Sequence, residues 1–571
     1  MLFRSIGYGG NTTYDSMIDV PYCTGQTGGT QPSGNYCVIS PIDENFTTST
    51  AVVSDGNLKF ALSSNPANQQ VCRGTQAGTT KFYFEVVTLS VGAGLAFGVK
   101  TTGAQLTSSG GLQAAAAWEI ICTNGNKWNG SSTAYGSAYT TNDIGMCAVD
   151  PVNGKIWFGK NGTWFASGDP VAGTNAAFTN VVSSVQPLFE CGTSSDSQAA
   201  NFGQRPFSYT PPTGYSALCA PNLAAPTIAN GAGYMAATTY TGTGATQSIT
   251  NTVGSTSFQP DWVWTKSRSA ATDNKITDSV RGVTNALITS STAAQTTDAG
   301  GVTAFNSNGF TVGTTAAYNT NAATYIGWQW KCNAGTTASN TNGSITSTVQ
   351  VNATSGFSIL TYTGTAANAT VGHSLGVTPS MVIVKAYSGA TGPFSVWHNK
   401  LPTPTTQRFL LNGAAAISAS ATYWNSTTPT SSVFSIGTST DVNTSAVSYL
   451  AYCFTAITGY SAFGSYVGNA STDGPFVYCG FRPRCILIRL TDTTTGENSY
   501  LLDTSRSTYN TVQNALEPSQ NFSEATVGVA DYIDILSNGF KCRSATLVNS
   551  SGLTYVFAAF AENPFNYSLA R

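Results

Sequence analysis

The chain has 571 residues, enough for several domains, with 9% charged residues against roughly 25% in an average globular protein. Because 41% is hydrophobic and 11% aromatic, it can bury a core, which excludes a disordered polar chain. A formal charge of −2, no basic run and no window near the roughly 20 apolar residues of a membrane span exclude broad attraction to nucleic acid and insertion as a helix.

Gly, Ser, Thr, Ala and Asn take the place of the missing charges, and with frequent turn signals they predict an all-β fold. The N-terminus, Met1-Leu2-Phe3-Arg4-Ser5-Ile6-Gly7, lacks the apolar core of a signal peptide. The 12 cysteines form no Cys-x-x-Cys pair and have no neighbouring His, so a zinc site is not expected. Cys147, Cys453 and Cys485 lie in apolar strand patterns and read as buried free thiols.

The first strongly patterned region ends at residue 209. Ile144, Met146, Ala148 and Asp150 alternate with Gly145, Cys147 and Val149, a period-2 strand. Asn153-Gly154 is a turn signal, Ile156-Trp157-Phe158 a β-rich run, and Asn161-Gly162 a second hairpin before Trp164-Phe165. Asn201-Phe202-Gly203-Gln204-Arg205-Pro206-Phe207 closes the region. With Lys81-Phe82-Tyr83-Phe84-Glu85-Val86 and Gly94-Leu95-Ala96-Phe97-Gly98-Val99 upstream, these blocks resemble the SPRY family in their order. The resemblance implies a concanavalin-type β-sandwich over residues 56–220 that binds partners and has no catalytic centre. It also implies binding through loops at one end of the sandwich. Trp118 and Trp128 fall between the recognisable strands and are the candidate ligand-binding residues, since exposed rings stack on sugars or anchor a protein contact. The alternative is that they fill a core.

Beyond residue 220 four marks recur three times in one order. They are a Tyr-x-Gly (Tyr240-Thr241-Gly242, Tyr362-Thr363-Gly364, Tyr466-Val467-Gly468), then a Pro with a basic residue six positions on (Pro260 and Lys266, Pro379 and Lys385, Pro483 and Arg489). A turn into Phe310, Phe434 or Phe540 follows, and then a closing strand carrying Tyr325 and Trp330, Tyr449 and Phe454, or Tyr555 and Phe560. The spacing is too long for a solenoid and predicts three tandem β-sandwich repeat domains, at 221–345, 346–458 and 459–571. On each closing strand one face is apolar and predicted to be core: Ile326, Trp328, Trp330; Leu450, Tyr452, Phe454; Val556, Ala558, Phe560. The recurring Lys or Arg is expected where the strand emerges into solvent, with an inter-domain contact as the alternative.

The repeats resemble a domain of tailed-bacteriophage structural proteins that can follow a SPRY-like sandwich. Asp15-Ser16-Met17-Ile18-Asp19-Val20-Pro21 and Asn35-Tyr36-Cys37-Val38-Ile39-Ser40-Pro41 are similar to the opening of such proteins. The combination implies a virion protein assembled in the host cytoplasm, in which residues 1–55 strap onto other virion proteins. It implies a tail fibre that recognises a host-surface glycan or protein, with capsid decoration or a tail adaptor as the alternative and a polysaccharide-degrading tailspike as a weaker one. Fibres of this kind imply a homo-oligomer, a trimer by analogy.

No catalytic residue, metal ligand or cofactor is expected. Gly372-His373-Ser374-Leu375-Gly376 fits a nucleophile elbow, but Pro379 and the strand Met381-Val382-Ile383-Val384 follow where a helix is needed. Glu497 and Asp503 are close in sequence, and glycoside hydrolysis needs two carboxylates across a cleft, but exposed turn acids are the commoner reading. A calcium loop at 150–154 is weighed against a satisfied turn acid.

Overall fold

The structure, a computed structural model, describes residues 36–44, 51–104, 106, 116–494, 496–526 and 531–564. It is all-β, apart from single helical turns, and it divides into two compact units, 1–225 and 226–571.

The first unit is a sandwich of two sheets, antiparallel except where the short strand Ser216–Ala217 joins Phe82–Ser90 in parallel. One runs Ile39–Glu44, Gln70–Gly74, Val185–Cys191, Ala96–Thr101, Ala117–Ile121, Lys127–Trp128, Ser132–Thr133. The other runs Thr163–Trp164, Lys155–Lys160, Ile144–Asp150, Phe82–Ser90, Ser197–Asn201, Lys59–Leu62, Ala51–Ser54. The period-2 reading of Ile144–Asp150 explains its place. Cys147 and Val149 face the core between the sheets, while Met146 and Ala148 face a second cluster with Tyr83, Trp157 and Tyr215 on the other side. The sandwich begins earlier than expected. Ile39–Glu44 and Ala51–Ser54 are strands of its sheets, and Tyr36 bridges Cys219, so the described part of 1–55 is sandwich and not a separate strap. Residues 1–35 and 45–50, including Asp15 to Pro21, lie outside the described residues. Cys219 is disulfide-bonded, whereas Cys147, Cys453 and Cys485 are buried free thiols.

In the second unit each repeat is a two-layer sandwich. The shared strand order is Tyr strand, closing strand, Pro strand, partner hairpin: Met235–Thr241, Thr324–Trp330, Trp262–Ser267, Lys275–Asp278 in repeat one. Repeat two has Phe357–Thr363, Ser448–Phe454, Met381–Ser388, Ser395–His398, and repeat three Ser461–Val467, Thr554–Pro564, Phe481–Leu490, Tyr500–Asp503. The hairpin Ala338–Asn340 with Ser347–Asn352 extends the sheet of repeat two, so the expected boundary at 345/346 cuts through it. In the third copy Pro483 does not open a strand. It sits inside Phe481–Leu490 where the register shifts, as expected for a residue with no N–H to donate to the ladder.

The repeats are not independent sandwiches strung in a row. The apolar closing-strand faces are core as predicted, but it is one core. Trp328 and Trp330, Tyr452 and Phe454, and Ala558 and Phe560 belong to a single buried cluster drawn from all three copies. Trp262 lies 4.4 Å from Trp330 and 4.6 Å from Tyr452 of the next copy, and Trp330 and Phe454 each contact Phe560. A lone repeat would present this face to water. Two neighbours bury it, with the hydrophobic gain of roughly 25 cal/mol per Å² that drives such packing.

The recurring cations are buried and not solvated, because each enters the preceding copy, with repeat three preceding repeat one. Lys266 donates to the Asn521 carbonyl of repeat three at 3.3 Å, and Lys385 to the Thr292 carbonyl of repeat one at 3.2 Å. Arg489 donates to the Gly413 and Ala415 carbonyls of repeat two. The contact sense is the same each time (one to three, two to one, three to two), so the three copies close on themselves.

Candidate functional site

One group of exposed apolar residues lies within the SPRY-like blocks of the first unit, on the loop 165–184 between the strand pair around Asn161-Gly162 and Val185–Cys191 and on the turn beside it. The loop is pinned from below. The Trp157 indole donates to the Thr174 carbonyl at 2.7 Å, Lys155 to Gly173 at 2.8 Å and Lys127 to Ala177 at 2.6 Å. Ala177 and Val181 donate backbone N–H groups to Ile156 and Gly154. Asp169 accepts from the N–H groups of Val171 and Ala172, which turns the chain outward at Val171. The platform this creates exposes apolar side chains: Val171 at 56%, Val182 at 39% and, on the adjoining turn, Val152 at 71%. Its rim is aromatic and basic. Lys127 lies 5.4 Å from the centre of the Tyr135 ring and 5.0 Å from that of Phe178, and burial pushes the Tyr135 hydroxyl up to about 12.

The two tryptophans expected to bind do not come together. Trp118 pairs with Val99 and faces the core, 3% exposed. Trp128 pairs with Glu119 across the ladder, so it lies on the opposite face, half-buried one strand in from the sheet edge. Trp118 does act on the loop, because its indole donates to Asn180 at 2.9 Å. Buried at 3% exposure, it bears on the platform through this bond. Lys127, Tyr135 and the three valines went unread because isolated valines in turns carry no sequence pattern. The Asp169 turn was the available signal.

The other sequence candidates are placed as follows. Asp150 accepts from the backbone and side-chain amides of Asn153 and lies 3.4 Å from Lys81; burial raises its pKa, but these partners outweigh it and hold the carboxyl below its usual range. It is a satisfied turn acid. Ser374 is bonded to Asn340 at 2.7 Å, and the His373 ring to Thr430 and Leu375, so the elbow residues make separate contacts between two strands. Glu497 and Asp503 are also separate. Asp503 is buried in an ion pair with Arg506 at 2.6 Å, while Glu497 accepts from Tyr500 at 3.2 Å and burial raises it to about 7. Among the described residues, no cluster of three or more His, Cys, Asp and Glu could hold a metal ion, and no helix is long and apolar enough to cross a membrane.

Residues 230–564, more than half of the chain and all three repeats, match one family, described as "Domain of unknown function (DUF7483)". The chain belongs to this family. The DUF7483 match treats as one domain what the sequence marks suggested were three, in keeping with the common core. Residues 81–205 match the SPRY domain, and the loop platform falls within them. Similar solved structures include the SPRY domain of human HERC1, at 16% identity with 28% of this chain and 96% of that chain covered and a TM-score of 0.24. A human SPRY domain is likewise similar, at 16% identity with 27% and 95% covered and a TM-score of 0.22. No curated protein matches the sequence.

Proposed function

We propose that the chain is a non-catalytic recognition protein of a tailed-phage virion, in which the SPRY domain binds a host-surface partner and the three-repeat unit has a structural role. The observation that carries this reading is the platform 165–184, pinned at its base yet exposing Val152, Val171 and Val182. Apolar side chains held out by an ordered loop suit a protein contact better than they suit chemistry. The phage setting rests on the likeness of the repeats and N-terminal motifs to virion proteins. An architectural role, as a capsid decoration or tail adaptor, is the second reading, and the closed three-copy unit supports it by offering a stiff building block.

The test is binding of the full chain to intact candidate host cells, with soluble surface glycan as competitor. The triple variant Val152→Asp, Val171→Asp, Val182→Asp is expected to lose saturable binding with its melting temperature unchanged, since exposed substitutions cost about 0.5 kcal/mol or less. Equal binding by the variant would remove the platform from the reading. Failure of both proteins to bind any host, with the full chain still reassembling onto virions that lack it, would favour the architectural role.

A further inference from the structure

The three seams of the repeat unit follow one plan, and one of them is built on a histidine. Between repeats two and one, Tyr452 donates to Asp278 at 2.8 Å, and Asp278 is paired with Arg281 at 2.6 Å. Between repeats one and three, the Trp328 indole donates to Asp503 at 3.0 Å, and Asp503 is paired with Arg506. Asp278 and Asp503 share a register position, each lying opposite the residue two past the marker proline, Trp262 and Cys485. In repeat two that position, opposite Met381, is His398. Its Nε2 meets the Phe557 carbonyl of repeat three at 3.2 Å, because Ala558, at the position of Trp328 and Tyr452, has no polar atom to offer.

His398 is 1% exposed, and the Lys400 backbone N–H donates to its Nδ1 at 3.1 Å. One nitrogen must donate and the other must accept, so only the neutral ring fits. The charged groups around it offer no counter-ion. Lys400 on its own hairpin is exposed and repels a second positive charge. Lys385 on the neighbouring Pro strand is held by the Thr292 and Ala386 carbonyls, and Arg408 on the next strand by Asp441. On the strands of repeat three, Glu562 is taken by Arg482 and Arg484, Arg489 faces carbonyls of repeat two, and Phe463 brings a ring 6.2 Å from the imidazole. Burial pulls the imidazole down to about 3, opposed by the Phe557 carbonyl and reinforced by Lys400.

We propose that His398 is an acid-operated latch: one proton taken up at Nδ1 displaces the Lys400 N–H, expels the ring and opens the seam between repeats two and three, while the seams clamped by Asp278–Arg281 and Asp503–Arg506 stay closed. The closed seam holds the neutral ring, and the opened seam releases an ordinary histidine of pKa near 6.5. The open state therefore binds more protons in between. Closure is unaffected above pH ~6.5, and the opening equilibrium rises about tenfold for each pH unit below it, down to about pH 3. His373, the second of the chain's two histidines, bonds to Thr430 and Leu375 of its own repeat, so its protonation loosens repeat two and not a seam.

Hydrogen–deuterium exchange on the full chain at pH 7.5 and 5.0, corrected for intrinsic exchange, tests this. Peptides covering 395–401 and 554–560 are expected to open about 30-fold more at pH 5.0, with the other seams unchanged. Histidine 398→glutamine (H398Q), which keeps a donor for Phe557 and cannot titrate, is expected to abolish the rise, and H373Q to retain it. A rise in H398Q, or an equal rise at all three seams, overturns the proposal. Should H398Q fail to fold, wild-type protein labelled with 13C at histidine supplies the reading. A His398 signal that stays neutral until the seam opens supports the latch, and one that titrates near pH 6.5 while the seam stays protected overturns it.

Discussion

The Tyr-x-Gly mark has a steric cause at the residue scale. Tyr240, Tyr362 and Tyr466 stack on Tyr325, Tyr449 and Tyr555 at 5.2, 5.3 and 5.3 Å, and the glycine two residues on passes against a neighbouring backbone. A Cβ on Gly242, Gly364 or Gly468 would run into the carbonyl oxygen of Thr320, Thr444 or Ser550. A buried asparagine then clasps each turn. Asn443 donates to the Ala367 and Gly437 carbonyls at 2.6 and 2.8 Å and accepts from the Thr365 N–H at 2.7 Å, and Asn319 and Asn549 do the same in their copies. These asparagines went unread, although each stands six residues before the closing-strand tyrosine. Gly364→Ala is expected to lower stability by about 1–3 kcal/mol in urea titration, since backbone cannot yield to the methyl. Asn443→Ala is expected to cost about as much by orphaning buried carbonyls. A loss under ~0.5 kcal/mol for both would show that the clasp carries no stability.

At the element scale the unforeseen result is the path of the basic residue on each Pro strand. Its spacing from the proline was legible, but its surroundings were not, because they come from a different repeat. Burial pulls Lys266 and Lys385 down to about 8. The folded state then holds fewer protons than the unfolded chain between pH 8 and about 10.5, so stability rises with pH across that window and the full penalty persists below it. Each lysine contributes a slope of about 1.4 kcal/mol per pH unit. Lys385→Met is expected to flatten the gain between pH 8 and pH 9.5 by roughly one lysine's share, read by urea unfolding. Equal slopes in variant and wild type would mean the ammonium finds compensation in the carbonyls of Thr292 and Ala386.

The whole molecule turns on the filling of one centre by unequal copies. Repeat one supplies Trp262, Trp264, Trp328 and Trp330, repeat two Met381, Ile383, Tyr452 and Phe454, and repeat three the smaller set Cys485, Leu487, Ala558 and Phe560. Large rings from one copy occupy space that small side chains of another leave open, so the copies are not interchangeable. Residues 226–571 are therefore expected to melt in one calorimetric transition, where three independent sandwiches would give up to three. Trp328→Ala is expected to lower that transition as a whole by about 3–5 kcal/mol, having opened a cavity and removed a partner of Asp503. Loss of a single repeat with the others intact would contradict the common core.

The sequence by itself determined the strands, the SPRY order of blocks and the threefold recurrence, because side-chain alternation and turn chemistry act over a few residues and are written locally. It also identified the apolar face of each closing strand. Only the tertiary structure decided what that face meets. An apolar stripe is satisfied equally by its own second sheet or by two neighbouring copies, and the choice depends on complementary volumes from residues far apart in the chain. The same holds for the SPRY unit. Trp118 and Trp128 were legible as large rings, but which face each occupies depended on strand register, and the platform that Trp118 supports arises where four separate segments meet.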